Sequence, residues 1–319
     1  MPHYFNSTLP NSLVARATQI LMGSTARQLL SPRLPVLWQR RVVAWMTALM
    51  LRPLGVRRHQ WRASPTDGVS KPLSDMSNPL GLRWVPSGDS GQGCILYFHG
   101  GGYTVGSPQS HANLVMRIAK SAGKVVYCPS YRLAPEHPYP AQLQDAQRCV
   151  DVLQQAGVPV GDMIFAGDST GAHLALTLAL QRKAQGLPLP RALVLVSPPV
   201  DMAMNQLPSA DSDVGLGKAW MHQMRDGHAP RGLWKDPLVS PVLADCTGLP
   251  PVLLQSASAE VLAHDARRMY HAMLHAGVEV QWQEDAGLWH DYHLSAGTVP
   301  EATAAVARIG EFIRLQWQV

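Results

Sequence analysis

Short apolar runs alternate with longer amphipathic stretches from about residue 81 to the C terminus. The short runs are typical of strands buried on both faces, and the amphipathic stretches are typical of helices that cover a sheet. Their alternation predicts an α/β fold with a mostly parallel central sheet flanked by helices. The predicted strands are 94–98, 124–128, 163–166, 192–196, 252–254 and 278–283, and the predicted helices are 141–156, 260–276 and 301–316.

Two segments interrupt this alternation. Residues 1–62 read as helices punctuated by prolines, and we interpret them as an N-terminal helical cap arm. Residues 200–236 are rich in Met, Gly, Pro and Trp, which indicates a cap insertion within the α/β domain. The predicted α/β domain therefore has two parts, residues 63–199, which begin with a polar connector, and residues 237–319.

Positive charge is concentrated in the arm. Residues 1–66 contain nine arginines and no lysine, aspartate or glutamate, although the whole chain has a formal net charge of only +5. Because the rest of the chain carries more acidic than basic residues, the overall basicity does not indicate a nucleic-acid partner. Three interpretations of the arm stay open: a cap over a pocket of the α/β domain, a face that rests on an anionic membrane, and an Arg-rich targeting peptide.

Neither a signal peptide nor a membrane span is expected. The first residues lack a basic segment followed by an apolar one, and the longest uncharged apolar run of the arm, residues 42–51, is too short to cross a bilayer. Four cysteines are scattered without a CxxC pair: Cys94, Cys128, Cys149 and Cys246. We expect buried free thiols, no metal site and a reducing, cytoplasmic location.

Residues 167–171 read Gly-Asp-Ser-Thr-Gly and lie between a predicted strand and an amphipathic stretch. A strand that turns at once into a helix leaves no room for Cβ atoms, which explains the two glycines. Such a nucleophile elbow lifts a serine hydroxyl clear of the sheet and places the next backbone N–H at the positive end of the helix. The motif predicts Ser169 as a nucleophile.

A glycine-rich segment, His-Gly-Gly-Gly-Tyr at 99–103, directly follows a predicted strand. Consecutive glycines let backbone N–H groups approach a ligand closely, and an acyl-transfer enzyme needs such donors for a developing oxyanion. We predict that the N–H groups of Gly101, Gly102 and Thr170 form this oxyanion hole; the alternative is a flexible glycine loop. His99 is expected to fix the loop by bonding to the backbone.

A serine nucleophile needs a base and an orienting acid, and in enzymes with a nucleophile elbow the acid precedes the histidine along the chain. His290 lies in the loop before the last predicted helix, and this loop leaves the same edge of the sheet as the elbow. We therefore predict His290 as the base; His293 is the alternative. Glu260 stands at the start of a predicted helix that follows a strand, and we predict it as the acid. Asp265, about one turn further along, stays an alternative.

These motifs are similar to those of the bacterial hormone-sensitive-lipase family of carboxylesterases. Residues 130–141, Ser-Tyr-Arg-Leu-Ala-Pro-Glu-His-Pro-Tyr-Pro-Ala, are the most specific part of the resemblance, and residues 236–241, Asp-Pro-Leu-Val-Ser-Pro, extend it. The resemblance runs from about residue 81 to the C terminus. It implies an α/β-hydrolase fold with a helical cap, the catalytic residues Ser169, Glu260 and His290, the three oxyanion-hole residues named above, and no cofactor.

Several positions differ from the family's common pattern. Glu260 stands where the family more often has aspartate, and Trp289 stands where proline is usual; Ser130 and Ala172 also depart from it. These differences bear on substrate preference more than on reaction type. Within the resembling segment, Arg132 and Glu136 are expected to form a structural ion pair beneath the site.

The sequence thus predicts a serine carboxylesterase that hydrolyses small-molecule esters with short to medium acyl chains. Two other functions stay open: a deacetylase or amidase acting on a secondary metabolite, and a non-catalytic binding protein. The plant gibberellin receptors resemble the family and have lost the histidine, whereas His290 is present here. The resemblance also suggests a homodimer. Candidate substrate-binding residues are Tyr103, Asp168, Trp220, Met221 and Trp289, and further candidates for an adaptable acyl pocket are Met202, Met204 and Met224.

Overall fold

The computed structural model describes residues 3–7, 12–29, 31–48, 55–62, 80–89, 91, 93–207 and 213–318. Most of the predicted polar connector, residues 63–79, lies outside the described residues. Within the described ranges the chain forms one nine-stranded sheet with helices packed against both faces. This architecture confirms the predicted α/β class.

Nine strands make up the sheet in the described part of the chain: β1 (His3–Ser7), β2 (Val56–Trp61), β3 (Gly81–Pro86), β4 (Cys94–Phe98), β5 (Val126–Pro129), β6 (Met163–Asp168), β7 (Ala192–Val196), β8 (Val252–Ala257) and β9 (Val280–Asp285). Across the sheet they follow the order β1-β9-β8-β7-β6-β4-β5-β3-β2. Strand β3 pairs antiparallel with β2 and β5, and the other neighbouring pairs are parallel. The mostly parallel sheet is therefore as predicted.

The helices of the described ranges are α1 (Leu13–Leu29), α2 (Val36–Ala48), α3 (Ala112–Ala122), α4 (Ala141–Gln155), α5 (Thr170–Ala184), α6 (Lys218–His228), α7 (Ala263–His275) and α8 (Pro300–Leu315). Residues of α3 and α8 share one core cluster, and residues of α4, α5 and α7 share the cluster on the other face. The helices predicted at 141–156 and 301–316 correspond closely to α4 and α8. Helix α7 begins later than predicted, at Ala263, so Glu260 precedes the helix instead of starting it.

The central strands are buried because helices cover the sheet on both sides. Every residue of β4, β6, β7 and β8 is buried. The register pairs Phe98 with Gly167 and Asp168 with Val196, so these parallel strands end level with one another. The loops after them therefore leave the sheet side by side, at the edge where ligands bind in open α/β sheets.

The N-terminal arm departs from the helical prediction for residues 1–62 at two places. Its segments β1 and β2 are strands, and they form the two opposite edges of the sheet. Strand β2 has four exposed residues in a row, so no apolar alternation marks it in the sequence. Main-chain pairing with β3, from Val56 opposite Pro86 to Trp61 opposite Gly81, stabilises it instead.

Helix α2 of the arm contacts both the predicted cap insertion and the loop after β4. The indole N–H of Trp220 in α6 donates to Oε1 of Gln39 at 2.8 Å. The guanidinium of Arg40 donates to the carbonyl oxygens of Thr104 at 2.7 Å and Ala134 at 3.0 Å. The arm and the insertion therefore meet beside the glycine-rich loop, which is consistent with a shared cap; the domain boundaries stay a prediction.

Candidate active site

Ser169 stands at the turn between β6 and α5, where the motif places it. Its backbone has φ +48° and ψ −124°, a strained conformation for a residue with a side chain. A Cβ atom on Gly171 would collide with the carbonyl oxygen of Phe98, and one on Gly167 would collide with the backbone of Gly171. Both glycines are therefore required by the direct passage from strand to helix.

Three side chains from separate loops form a continuous hydrogen-bonded chain. Nε2 of His290 lies 2.9 Å from Oγ of Ser169, and Nδ1 of His290 lies 3.2 Å from Oε2 of Glu260. The hydroxyl of Ser197 donates to the same Oε2 of Glu260 at 2.6 Å. Glu260 is only 1% exposed, so its carboxylate is shielded from water. The arrangement has the geometry of a nucleophile, a base and an orienting acid.

Asp265, the alternative acid, has other partners. Its Oδ2 accepts hydrogen bonds from the backbone N–H groups of Val200 at 2.9 Å and Asp201 at 3.3 Å. Burial raises the pKa of Asp265 to about 6. Because its carboxylate is directed at the segment after β7, the geometry brings Glu260, and not Asp265, to His290.

Two other histidines near the site hold loops in place. Nε2 of His293, the alternative base, lies 2.9 Å from Oε1 of Gln255, and burial lowers the pKa of His293 to about 3. Nδ1 of His99 lies 2.9 Å from the carbonyl oxygen of Gly100, and burial also lowers the pKa of His99 to about 3. The ring of His99 thus bonds to the backbone of the glycine-rich loop, as predicted.

Opposing effects act on the pKa of His290. Burial alone would lower that pKa, but the charge and hydrogen bonding of the Asp291 and Glu260 carboxylates outweigh burial and hold it well above its usual value. Burial raises the pKa of the Glu260 carboxyl against the hydrogen bonds from His290 and Ser197. Neither Asp291 nor Ser197 was singled out from the sequence; the position of Asp291 directly after the base was the one available signal.

The glycine-rich loop packs against the elbow. Gly101 and Gly102 have φ values of +120° and +60°, and a Cβ on Gly101 would collide with the loop's own backbone. The N–H of Tyr103 donates to Oγ1 of Thr170 at 3.2 Å, which joins the loop to the start of α5. Gly102 and Thr170 border one cavity together with Ser169. Gly102 and Thr170 therefore border the same cavity as Ser169, and Gly101 precedes Gly102 in the loop; their role as an oxyanion hole stays a prediction.

Asp168, a candidate substrate-binding residue, lies beneath the elbow instead. Its carboxylate accepts hydrogen bonds from the hydroxyl of Tyr97 at 2.6 Å and the N–H of Gly100 at 3.1 Å, and it lies 3.1 Å from Nε2 of His111. Burial would raise the pKa of Asp168, but His111 and Tyr97 hold it below its usual value. Burial would lower the pKa of His111, but Asp168 raises it. These partners occupy the carboxylate, which corrects the predicted contact with substrate.

Trp289, another candidate substrate-binding residue, also points away from the cavity. Its side chain is 1% exposed and belongs to the core cluster that α3 and α8 share. It is not among the residues that border the cavity. The indole packs into the core beside the catalytic loop, which corrects its predicted role.

The predicted ion pair between Arg132 and Glu136 does not form, since each side chain meets another partner. Nη2 of Arg132 lies 2.9 Å from Oδ1 of Asp145 in α4. Nη2 of Arg40 in α2 lies 2.8 Å from Oε2 of Glu136. Packing of α2 and α4 against this segment, and not its local sequence, selects the partners.

A cavity lies between the elbow and α6 and encloses about 400 Å³ of space, counting its open mouth. Tyr103, Trp220 and Met221, the remaining candidate substrate-binding residues, border it together with His228, and their contact with substrate stays a prediction. Burial lowers the pKa of His228 to about 3, so its ring is neutral. The other bordering side chains are mainly apolar and include Pro199, Met202, Met204, Leu216, Met224 and Leu262.

The described residues include no group of three or more His, Cys, Asp or Glu side chains that could hold a metal ion. All four cysteines are buried, as predicted. In the described ranges, every helix is too short or too polar to cross a membrane.

A family model of the α/β-hydrolase fold matches residues 95–294. A crystal structure of an esterase from the bacterial hormone-sensitive lipase (HSL) family superimposes with a TM-score of 0.84 at 28% identity, and the match covers 97% of this chain and 99% of that chain. This chain belongs to the HSL-like carboxylesterases of the α/β-hydrolase fold.

Curated relatives of this HSL-like esterase bear related names. An acetyl-hydrolase of Streptomyces hygroscopicus is 38% identical over 239 residues, which is 73% of this chain and 79% of the relative. An esterase of Acinetobacter venetianus is 34% identical over 226 residues, which is 68% of this chain and 73% of the relative. The HSL-like esterase described here is accordingly a carboxylic ester hydrolase that acts on small-molecule esters.

Proposed function

We propose that this esterase is a serine carboxylesterase that hydrolyses esters of short to medium acyl chains through an acyl-enzyme intermediate. The observation that carries the proposal is the hydrogen-bonded chain from Ser169 through His290 to Glu260, with contacts of 2.9 and 3.2 Å. A hydroxyl at this distance can pass its proton to the imidazole as it attacks. A carboxylate on the far ring nitrogen selects the tautomer and stabilises the imidazolium that forms.

In the proposed mechanism, Oγ of Ser169 attacks the ester carbonyl carbon and its proton passes to Nε2 of His290. The N–H groups of Gly101, Gly102 and Thr170 stabilise the oxyanion, and such donors contribute about 3–4 kcal/mol each to the transition state. The bond to the alcohol then breaks, and the alcohol leaves with the proton from His290. Water, deprotonated by the same imidazole, attacks the acyl group and releases the acid.

The cavity supports the proposed acyl range. The space of about 400 Å³ includes the open mouth, so the part of the cavity that can hold an acyl chain is smaller than this value. Methionine side chains such as Met221 and Met224 adapt to chains of different shape because they are unbranched and flexible. An apolar lining of this size fits a short or medium chain better than a long one.

The test is replacement of the nucleophile. Ser169→Ala should abolish turnover of p-nitrophenyl butyrate and labelling by a fluorophosphonate probe, with an unchanged circular dichroism spectrum. Ser130→Ala is a matched control, because Ser130 is exposed and its substitution removes an identical hydroxyl. Turnover that survives in Ser169→Ala at the wild-type rate would refute the serine mechanism.

A deacetylase or amidase activity is the second candidate, because one relative carries the name acetyl-hydrolase. A panel of p-nitrophenyl esters of increasing chain length, together with acetylated amines, separates the two activities. A non-catalytic binding role has less support, since an imidazole lies within hydrogen-bonding distance of the elbow serine.

We also propose that the outer face of the arm rests on an anionic membrane surface. Six large apolar side chains of α1 and α2 are more than half exposed: Leu13, Ile20, Leu21, Leu37, Trp38 and Trp45. Exposed arginines lie among them, at Arg16 and Arg41. Apolar and aromatic side chains interspersed with basic ones are typical of helices that lie in a membrane interface. The inner side of α2, at Gln39 and Arg40, faces α6 and the loop after β4.

The homodimer and the cytoplasmic location stay predictions.

A further inference from the structure

A second carboxylate lies at the reactive nitrogen of the base. Oδ2 of Asp291 lies 3.1 Å from Nε2 of His290, the same nitrogen that lies 2.9 Å from Oγ of Ser169. The side chain of Asp291 is only 12% exposed, so little water screens it. Its backbone is left-handed, with φ +53° and ψ +33°, which directs the carboxylate back toward the ring that precedes it.

The protonation state of His290 decides whether its contacts with Ser169, Glu260 and Asp291 can all be favourable at the same time. An imidazole nitrogen has one in-plane site, which holds either a hydrogen or a lone pair. In the neutral ring with its hydrogen on Nδ1, facing Glu260, the Nε2 lone pair would face the Asp291 carboxylate and the two would repel. In the imidazolium, Nδ1–H is donated to Glu260 and Nε2–H is shared between Ser169 and Asp291.

We propose that Asp291 is a positioning residue that holds His290 as an imidazolium in the resting enzyme, so that Nε2 must release this proton to solvent before Ser169 can be deprotonated. This inference rests on the proposed serine mechanism. Proton balance is simple: the first proton leaves Nε2 for water, and the vacated Nε2 then accepts the proton of Ser169 during attack on the ester.

The other ionisable groups near His290 do not contact its imidazole ring nitrogens directly. Asp213 accepts the backbone N–H of His290 at 3.3 Å and is therefore bound to the main chain. His293, on the same loop, is neutral because burial lowers its pKa to about 3. Burial raises the pKa of Asp291, and the positive charge and hydrogen bond of His290 act against this rise, as they would on a carboxylate that faces an imidazolium; Asp168 raises that pKa further and His111 lowers it. Glu260 and Asp291 are thus the two carboxylates that face the imidazole itself.

The sign of the pH dependence follows from the raised pKa of His290. The base is active only when neutral, so activity is low below the pKa of His290 and rises as the pH passes through it. Removal of a facing carboxylate lowers that pKa, and one opposite charge at this distance typically accounts for about 1–3 pH units. The same carboxylate also stabilises the imidazolium that forms during attack, so its removal should lower the plateau rate at high pH.

The experiment compares the pH dependence of kcat/KM for p-nitrophenyl butyrate, a substrate that does not ionise, in wild type and in Asp291→Asn. Asparagine tolerates the left-handed backbone, so the loop is expected to keep its shape. We expect the wild-type acid limb to lie above the usual histidine value of about 6.5. In Asp291→Asn the limb should move down by about one unit or more, with a lower plateau.

Asp245→Asn is the matched control. It removes the same unit of charge from a carboxylate whose side chain is 70% exposed and is paired with Lys183. Asp245 is not among the residues that border the cavity. Its acid limb should coincide with that of wild type. A structural role of Asp291 alone would lower the plateau without moving the limb, and that result would overturn the proposal.

The wild-type profile is a test that does not depend on folding of the variant. A wild-type acid limb at or below the usual histidine value would overturn the proposal even if Asp291→Asn did not fold. Failure of the proposed serine mechanism can be distinguished from failure of this inference, because Ser169→Ala would then turn over the ester at the wild-type rate. Turnover that depends on Ser169 but shows an ordinary acid limb refutes only the role of Asp291.

Discussion

The proposed nucleophile, base and acid are each held by a different kind of contact. Ser169 is held by the backbone turn of the elbow, which its flanking glycines permit. His290 is held by side-chain contacts to carboxylates and by the bond from its N–H to Asp213. Glu260 is held by Ser197, which lies 63 positions earlier in the chain. The contacts of His290 with Glu260 and Asp213, and the contact of Glu260 with Ser197, join residues at least 30 positions apart, so neighbouring residues do not encode them.

At this scale, the choice of acid can be tested directly. Glu260→Gln should reduce kcat/KM for p-nitrophenyl butyrate on the order of 10³- to 10⁴-fold, because an amide no longer selects the imidazole tautomer that accepts the serine proton. Asp265→Asn is the matched control and should remain near wild type, since an amide oxygen can still accept the N–H groups of Val200 and Asp201. The opposite ranking of the two variants would make Asp265 the acid.

The sequence was informative about single residues where chemistry and local geometry coincide. Ser169 and the glycines of both loops could be predicted because a sharp turn excludes Cβ atoms. Asp168 and Trp289 could not be assigned correctly, since the sequence places them beside the catalytic residues but does not reveal that their side chains point into the core. The same limit concealed Asp291, whose direction depends on a left-handed backbone.

At the scale of elements, α6 covers the cavity on one side, and the loop after β4 borders the cavity on another. A Cβ on Gly102 would come within 2.7 Å of Cγ of Met224, so the helix lies directly over the predicted oxyanion hole. Trp220 of α6 is joined to α2 through Gln39 at 2.8 Å. The position of α6 therefore sets the depth available to a substrate, and α2 helps to hold it there.

This arrangement predicts a change in acyl preference when α6 is altered. Met221→Ala enlarges the cavity, so the ratio of kcat/KM for p-nitrophenyl octanoate to that for the butyrate should rise on the order of tenfold. Met269→Ala is the matched control, because Met269 is fully buried in α7 and does not border the cavity. That control should lose about 2–5 kcal/mol of stability without changing the ratio. An unchanged ratio in Met221→Ala would remove α6 from the acyl site.

The bounds of the strands in the sheet's core could be predicted from the sequence more closely than those of the edge strands. Strands β4 and β7 match their predictions because they are buried on both faces and read as continuous apolar runs. Strand β2 has no such pattern, because an exposed edge strand needs no apolar face. Its stabilising partner, β3, begins 20 positions after β2 ends, so main-chain pairing could not be inferred from the segment alone.

At the scale of the whole molecule, charge and exposed apolar surface are both unevenly distributed. Seven of the ten large apolar side chains that are exposed in the described ranges belong to α1 and α2. The same arm contributes nine arginines and no acidic residue within positions 1–66. The exposed surface of α2 differs from the side that faces the cavity wall, because Gln39 is buried against Trp220 of α6 whereas its neighbour Trp38 is 58% exposed.

A membrane-facing arm makes a prediction for the intact enzyme. It should co-sediment with vesicles containing phosphatidylglycerol, more weakly with phosphatidylcholine alone, and less in high salt, since screening weakens attraction between the arginines and anionic lipid. The double variant Trp38→Ser and Trp45→Ser should bind less. Leu243→Ser with Leu315→Ser is the control for loss of exposed apolar surface elsewhere. Equal binding by both double variants would exclude the arm as the contact.

The order of residues along the chain is sufficient for the α/β class, the elbow serine and the glycine-rich loop, because periodicity and steric exclusion act over a few neighbouring positions. The acid, the partners of Arg132 and Glu136, the edge strands and the carboxylate beside Nε2 of His290 required the folded chain. Asp291 follows His290 directly, and its contact with Nε2 depends on the left-handed backbone of the folded loop. For the acid and for the partners of Arg132 and Glu136, several residues have equivalent chemistry, and the choice among them depends on which atoms distant segments bring within 3 or 4 Å. Distances of that kind are properties of packing, and no local pattern encodes them.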